Sequence, residues 1–427
     1  MTPVHPEIGR VSRRLDPGQD LPRILRPGDL VWVAQVGGEP SVLVDAVLTQ
    51  ARQFPGIRLM FGYPLTDTPE RAAAAGIRCV GMGAFAGLAR VHRLGMLDLV
   101  PAHYSRYSDS ILSGVLRPDV VLLQATPADE TGRHSLGVTV DHLLTAMEHA
   151  RTVIAQINPN MPWTYGDTVI EHDRFDWIVE ASSPIAEWKS RAPGEIDFAI
   201  AEHVARLVPD GATIQYGVGT GPDAIVAKLA RKKDLGIHSG SLADSFVDLM
   251  KAGAVTNRRK EIDPGVSVAT TLYGSRRLYD FVHRNPDLCM RSATYTHSGA
   301  AMAPLERFVS INSALEVDLT GQIGSEAVGG RQVGAIGGQV DFQRAALASP
   351  EGKGIIALGS RAGGKPRIVR KLTGPVTTPR GDAEYVVTEH GVAELAGRTL
   401  EERARAMIAI AHPEDRADLE KGLDELA

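Results

Sequence analysis

The sequence is poor in cysteine, in aromatic residues and in long apolar runs, and neither sign of charge dominates. Only Cys79 and Cys289 occur in 427 residues, far apart, so neither a disulfide scaffold nor a four-ligand zinc site is expected. Both cysteines read as core residues. A formal net charge of -5 with scattered basic residues gives no reason to expect nucleic acid or an anionic membrane as a partner. No stretch approaches the ~18 uninterrupted apolar residues of a membrane span, and the opening MTPVHPEIGR has neither a basic leader nor an apolar one. The expected location is the cytoplasm.

What is present points to an α/β chain. Hydrophobic residues make up 43% and charged residues 23%, the balance of a soluble globular protein. The length suits two domains of roughly 200 residues each. Aromatics are only 5%, whereas there are 44 glycines. Glycine in a chain rich in Val, Ile and Ala suits strand-to-helix turns better than a helical bundle.

One device recurs. LVWVAQVGG precedes PSVLVDAVL, and ATIQYGVG precedes PDAIVAKLARKK. Each is a β-rich run ending in glycine, followed by a proline (Pro40, Pro222) at the first helical turn and apolar residues at helical spacing. Lys232 and Lys233 are expected in the last turn of the second helix, where they complement its dipole. Two similar α/β halves follow. A Pro/Gly turn at Arg191 to Gly194 marks the linker, dividing the chain into 1–194 and 195–427. Further strands are expected at Val120–Ala125, Thr152–Asn158, Trp177–Ser182, Gly354–Ser360 and Glu384–Thr388. After Thr388, taken as an N-cap, EHGVAELAG and LEERARAMIAIA read as helical, and EDRADLEKGLDELA as a solvated helix.

Two glycine segments are candidate sites. Gly217-Val218-Gly219-Thr220-Gly221-Pro222 joins a strand to a helix, where backbone N–H groups can hold an anion or oxyanion. A plain tight turn is the equal alternative. A dinucleotide fingerprint is not, because Pro222 stands where its last glycine would be. The second segment is Gly334-Ala335-Ile336-Gly337-Gly338-Gln339, whose paired glycines would let a thioester lie against the main chain while Gln339 orients it. Alone it reads more readily as a hairpin or bulge.

Eight passages carry a resemblance. They are residues 37–48, INPNMPWTYGD, DWIVEASSPI, GVGTGPDAI, KKDLGIHS, SINSALEVDLTGQIGSE, GAIGGQVDFQRAA and YVVTEHGVAELAGRTLEERARAMIAIAHP. In order and end to end, they resemble the acetyl-CoA hydrolase / CoA-transferase family, especially its 4-hydroxybutyrate CoA-transferase branch. The resemblance implies two open α/β/α domains with the active site in the cleft between them. Residues 1–194 would face the acyl group, and 195–427 would bind coenzyme A. It implies acyl-CoA and CoA as partners, no cofactor beyond the CoA of the substrate, no metal, and a homodimer or homotetramer. Gly217, Gly219, Gly337, Gly338 and Gln339 are then expected around the thioester.

The family passage matching LGIHSGSLADS reads Gly-Ile-His-Ser/Thr-Glu, with that glutamate as nucleophile; here the position is Gly240. Glycine cannot form the anhydride and thioester that transfer requires. Ser239 and Ser241 flank the gap without a His/Asp partner legible in the sequence. Glu39, Glu316, Glu326 and Glu389 lie in matching passages and can activate water; Glu39 and Glu326 are the first candidates, with a surface or capping role as the alternative. His238 is read either as a base or as a packed histidine. In HYSRYS, where the family carries substrate-facing residues, Arg106 either pairs with a substrate carboxylate or is simply solvated. Hydrolysis of an acyl-CoA by water, at the thioester or at the carbon–carbon bond β to it, is the expected reaction. Transfer by another carboxylate and non-catalytic CoA binding are the alternatives.

Overall fold

Runs of Val, Ile and Leu with no polar alternation form strands buried on both faces, the pattern of parallel sheets covered by helices. The computed structural model describes residues 12–423. Its first sheet reads, from one edge to the other, Arg13–Arg14, Trp177–Glu180, Thr152–Ile157, Val120–Ala125, Leu30–Val33, Arg58–Phe61, Arg78–Gly81 and Leu97–Leu99. All neighbours are parallel. The second reads Gly236–Ile237, Thr213–Tyr216, Phe308–Asn312, Lys353–Ala357, Tyr385–Thr388 and Gly391–Glu394, parallel except for its last pair. The protein is thus two α/β units, each built on a largely parallel sheet. Residues 181–194 have no regular structure, and the helix Glu195–Leu207 starts immediately after them, on Gly194.

The units are stitched together. One apolar cluster runs from Leu30, Trp32 and Leu123 of the first to Ile214, Val309 and Ile355 of the second. Tyr165–Gly166 adds an edge to the small sheet of Ser267–Ala269 and Leu288–Met290. Bridges join Gly83 to Ala335, His103 to Gly337 and Thr139 to Thr271. The rims of the cleft are therefore fixed to each other by main-chain hydrogen bonds rather than hinged on a lone linker.

Three local expectations are corrected. Pro40 is the N-cap of the helix Ser41–Thr49 rather than its first-turn residue. The second helix, Thr220–Leu229, ends before Lys232 and Lys233, and Lys228 is the base in its last turn. EHGVAELAG is not a helix: Gly391–Glu394 returns antiparallel along Tyr385–Thr388. Ala393 and Leu395 point inward while Val392 and Glu394 point outward, a two-residue period that suits a strand and not a helix. Thr388 instead donates through its hydroxyl to the Ile410 carbonyl at 2.6 Å. The helix that follows is Leu400–Ala409, with Thr399 and Glu402 forming its capping box. The last expected helix covers Pro413–Glu420; its final residues 424–427, like the opening MTPVHPEIGR, lie outside the described residues. Cys79 is buried and Cys289 half-buried, and both are free thiols. No helix among the described residues is long and apolar enough to cross a membrane.

Candidate active site

A cleft of about 200 Å³ opens where the two units meet. Its first wall comes from loops after strands of the first sheet: Gln35, Tyr63, Phe85, and Tyr104 with Tyr107 from the HYSRYS stretch. Its second wall is glycine-rich, formed by Gly217, Gly240, Gly337 and Gly338. Thr270, Tyr273, His297 and Phe342 complete the enclosure. None of the described residues lining it is Asp, Glu, Lys or Arg.

The first wall is locked by hydrogen bonds. Gln35 donates through Nε2 to the Tyr104 hydroxyl at 2.7 Å and accepts at Oε1 from the Tyr63 N–H at 2.8 Å. The Tyr104 ring lies between two histidines, its centroid 4.6 Å from those of both His142 and His297. Burial, and after it the nearby Asp141, holds the Tyr104 phenol protonated. Burial pushes the Asp141 carboxyl up to about 6. Asp141 takes a hydrogen bond from Thr139 Oγ1 at 3.3 Å. Burial also pushes the His142 imidazole down to about 3, and its Nδ1 pairs with Ser108 Oγ at 2.8 Å.

The second wall is shaped around His297. A Cβ added at Gly240 would lie 2.8 Å from His297 Nε2 and 2.9 Å from Cε1; one at Gly338 would lie 2.5 Å from Nε2 and from Cδ2. The outer edge of the imidazole thus fits between two main-chain positions that only glycine leaves open. Phe342 packs on the same ring at a centroid distance of 4.6 Å. Further along, Gln215 and Asn312 face the cleft as a paired amide set, with Asn312 Nδ2 donating to Gln215 Oε1 at 3.0 Å. The buried hydroxyl of Thr270 also lines the cleft and has no hydrogen-bond partner among the described residues. Neutral donors and acceptors are therefore available to a carbonyl entering the site.

The expected site residues divide into those on the cleft and those away from it. Gly217, Gly240, Gly337, Gly338 and Gln339 line it together, as does Ser241. Gly219 does not; with φ of +132° it caps the helix Thr220–Leu229. Glu39 is buried off the cleft, accepting from Thr66 and Thr68 hydroxyls at 2.8 and 2.6 Å. Burial raises its carboxyl above the ordinary range. Glu326 accepts from Thr377 Oγ1 at 2.9 Å, Glu316 from Thr373, and Glu389 from Ser360; none of them lines the cleft. His238 is fully buried, with Nε2 bonded to the Thr296 carbonyl at 3.0 Å. Ser239 spends its hydroxyl on main-chain carbonyls of Tyr216 and Ser241. Arg106 lies in a second basin of about 510 Å³ behind His297, paired with Asp109 at 2.8 Å.

The sequence reading missed Gln35, Tyr104, Asp141 and His297. Tyr104 and Tyr107 stand in the stretch that drew attention to Arg106, and Gln35 directly precedes the first glycine turn. His297 had no signal beyond its position in the short segment SATYTHSG.

Two linked α/β units enclose an uncharged cleft whose walls are glycine loops and buried aromatics, the arrangement of a two-unit α/β protein with a ligand-sized pocket between its units. The comparisons give the family. The acetyl-CoA hydrolase/transferase N-terminal domain matches residues 80–187 and the C-terminal domain residues 274–423. The 4-hydroxybutyrate coenzyme A transferase of Clostridium kluyveri is 44% identical over 329 residues, 76% of this chain and 77% of its own. Crystalline RipA from Yersinia pestis superposes with a TM-score of 0.92 at 32% identity, covering 97% of each chain. The acetyl-CoA hydrolase of Saccharomyces cerevisiae is 30% identical over 228 residues, 51% of this chain and 41% of its own. The chain belongs to the acetyl-CoA hydrolase / CoA-transferase family, whose members include both transferases and hydrolases.

Proposed function

We propose that this protein hydrolyses an acyl-CoA with water, at the thioester or at the carbon–carbon bond β to it, without passing through an enzyme-bound glutamyl thioester. The observation that carries this reading is the wall at residue 240. By resemblance, that position belongs to the nucleophilic glutamate. Here it is glycine, the space for a Cβ is taken by His297, and no carboxylate lines the described cleft. Double displacement needs a carboxylate in contact with the thioester carbon, because it forms two successive covalent bonds to that group. Water needs only room, a base and donors for the oxyanion.

Transfer remains a second reading because a relative as similar as 44% is named a transferase. Incubation with acyl-CoA followed by borohydride reduction or hydroxylamine separates the two. The hydrolytic reading predicts free CoA, free acid or ring-opened product, and an unmodified protein by intact mass. A reduced or hydroxamate-bearing carboxylate would sink it.

A further inference from the structure

We infer that His297 is the general base that activates the water, with Thr296 fixing its tautomer. This rests on the hydrolytic reading above and supplies the group that reading requires.

The argument begins with two bonds. Thr296 Oγ1 lies 3.3 Å from the Ser292 carbonyl and donates to it, since a carbonyl can only accept. A hydroxyl has one proton. Assigning that proton to Ser292 leaves Oγ1 presenting lone pairs to His297 Nδ1 at 2.9 Å and puts the ring hydrogen on Nδ1. In a neutral imidazole the other nitrogen is then unprotonated. Nε2, the atom pinched between the Gly240 and Gly338 main chains, therefore turns a lone pair toward the cleft.

The ring is also held neutral and still. Burial is the main reason its basicity is depressed, and His142 and His238 add to it. Tyr104 and Phe342 pack on it. Being neutral keeps the Nε2 lone pair free, while the lowered basicity makes the ring a weaker base than a free imidazole. Its value here lies in its fixed position in the wall of the cleft, where it takes a proton from water only as the water oxygen bonds to carbon. The edge of the ring takes the space in which residue 240 would project a Cβ, so the water it activates lies on the cleft side of Nε2.

The balanced step at a thioester follows. Nε2 removes a proton from water as its oxygen bonds to the thioester carbon, giving a tetrahedral oxyanion. The carbon–sulfur bond then breaks and its electron pair leaves on sulfur. The imidazolium returns the proton to the thiolate, so one acyl-CoA and one water become a carboxylic acid and CoA thiol. For cleavage at a β-carbonyl carbon, the same proton goes to the departing α-carbon.

The test uses the full chain with acetyl-CoA, butyryl-CoA, cyclohexanecarbonyl-CoA and, for the carbon–carbon bond, acetoacetyl-CoA as probes. His297→Asn should lower kcat by about 100- to 10,000-fold, the usual contribution of a positioned base, with KM kept and the protein still folded. His297→Ala should recover part of its kcat in added imidazole, a rescue that a merely structural role would not give. If the asparagine variant does not fold, Thr296→Val serves: the ring stays, its tautomer is released, and kcat falls while KM holds. Wild type that hydrolyses a probe while these variants keep its kcat overturns the role of His297 and leaves hydrolysis standing. Wild type that consumes no probe, or yields a trapped carboxylate adduct, overturns both.

Discussion

His238 and His297 are both buried, both held neutral by burial, and both bonded to Thr296. They use that residue in opposite ways. His238 gives Nε2 to its carbonyl, and its Nδ1 has no partner among the described residues, with Tyr295 and Phe308 packed around the ring. His297 ties Nδ1 to the hydroxyl and leaves Nε2 in the cleft. Nearness in sequence to residue 240 therefore says little about access to the site. What matters is which nitrogen the fold has already engaged and where the other one points.

The comparison can be broken first at His297, whose replacement by asparagine carries the largest expected loss. Next is Gly240→Ala. Its methyl would lie 2.8 Å from Nε2, so the ring must shift. A displacement of about 1 Å in a catalytic group can cost about 100-fold in rate, and the overpacking should remove about 1–3 kcal/mol of stability. Steady-state kcat and urea unfolding of the same preparation check both. Gly240→Glu alone meets the same obstacle, so any transferase activity should emerge only when His297→Ala is combined with it, read as CoA exchange between acetyl-CoA and butyrate. His238→Asn is the control: it disturbs a buried hydrogen bond and should cost about 1–3 kcal/mol of stability while lowering kcat far less than His297→Asn.

The smallest expected effect is in pH dependence. Burial pushes His238 down to about 4 and His142 to about 3. Their unfolded counterparts titrate at about 6.5. Between those values the unfolded chain binds more protons, so stability should fall as pH drops from about 6.5 toward 4. Asp141, raised to about 6, works the other way: its neutral form regains stability as pH falls from 6 toward the ordinary carboxylate range. The histidines act in the same direction and should prevail. Midpoints of urea unfolding from pH 7 to 4.5 that rise instead of falling would contradict this balance.

Much of the scaffold was legible because buried parallel strands are locally unambiguous. Val120–Ala125 occupies the residues its β-branched run suggested, and Trp177–Glu180 and Tyr385–Thr388 lie within theirs. The hairpin after Thr388 was misread as a helix because four residues of alternating burial are too few to outweigh the helix-forming sequence that follows. The glycine wall was legible through the resemblance at Gly217, Gly240 and Gly337 to Gln339. The groups around it were not. Gln35, Tyr104, Asp141 and His297 come from four separate loops, and nothing local distinguishes a loop histidine that faces a cleft from one that packs. Their meaning arises from pairings such as Gln35 with Tyr104 and Thr296 with His297, which depend on how the units dock.

The most direct test is a single turnover in ¹⁸O-labelled water, with enzyme in excess over acyl-CoA and the released acid analysed by mass. Direct attack by water predicts one ¹⁸O in the carboxylate from the first turnover. Unlabelled acid, its new oxygen donated by a side-chain carboxylate, would contradict the account.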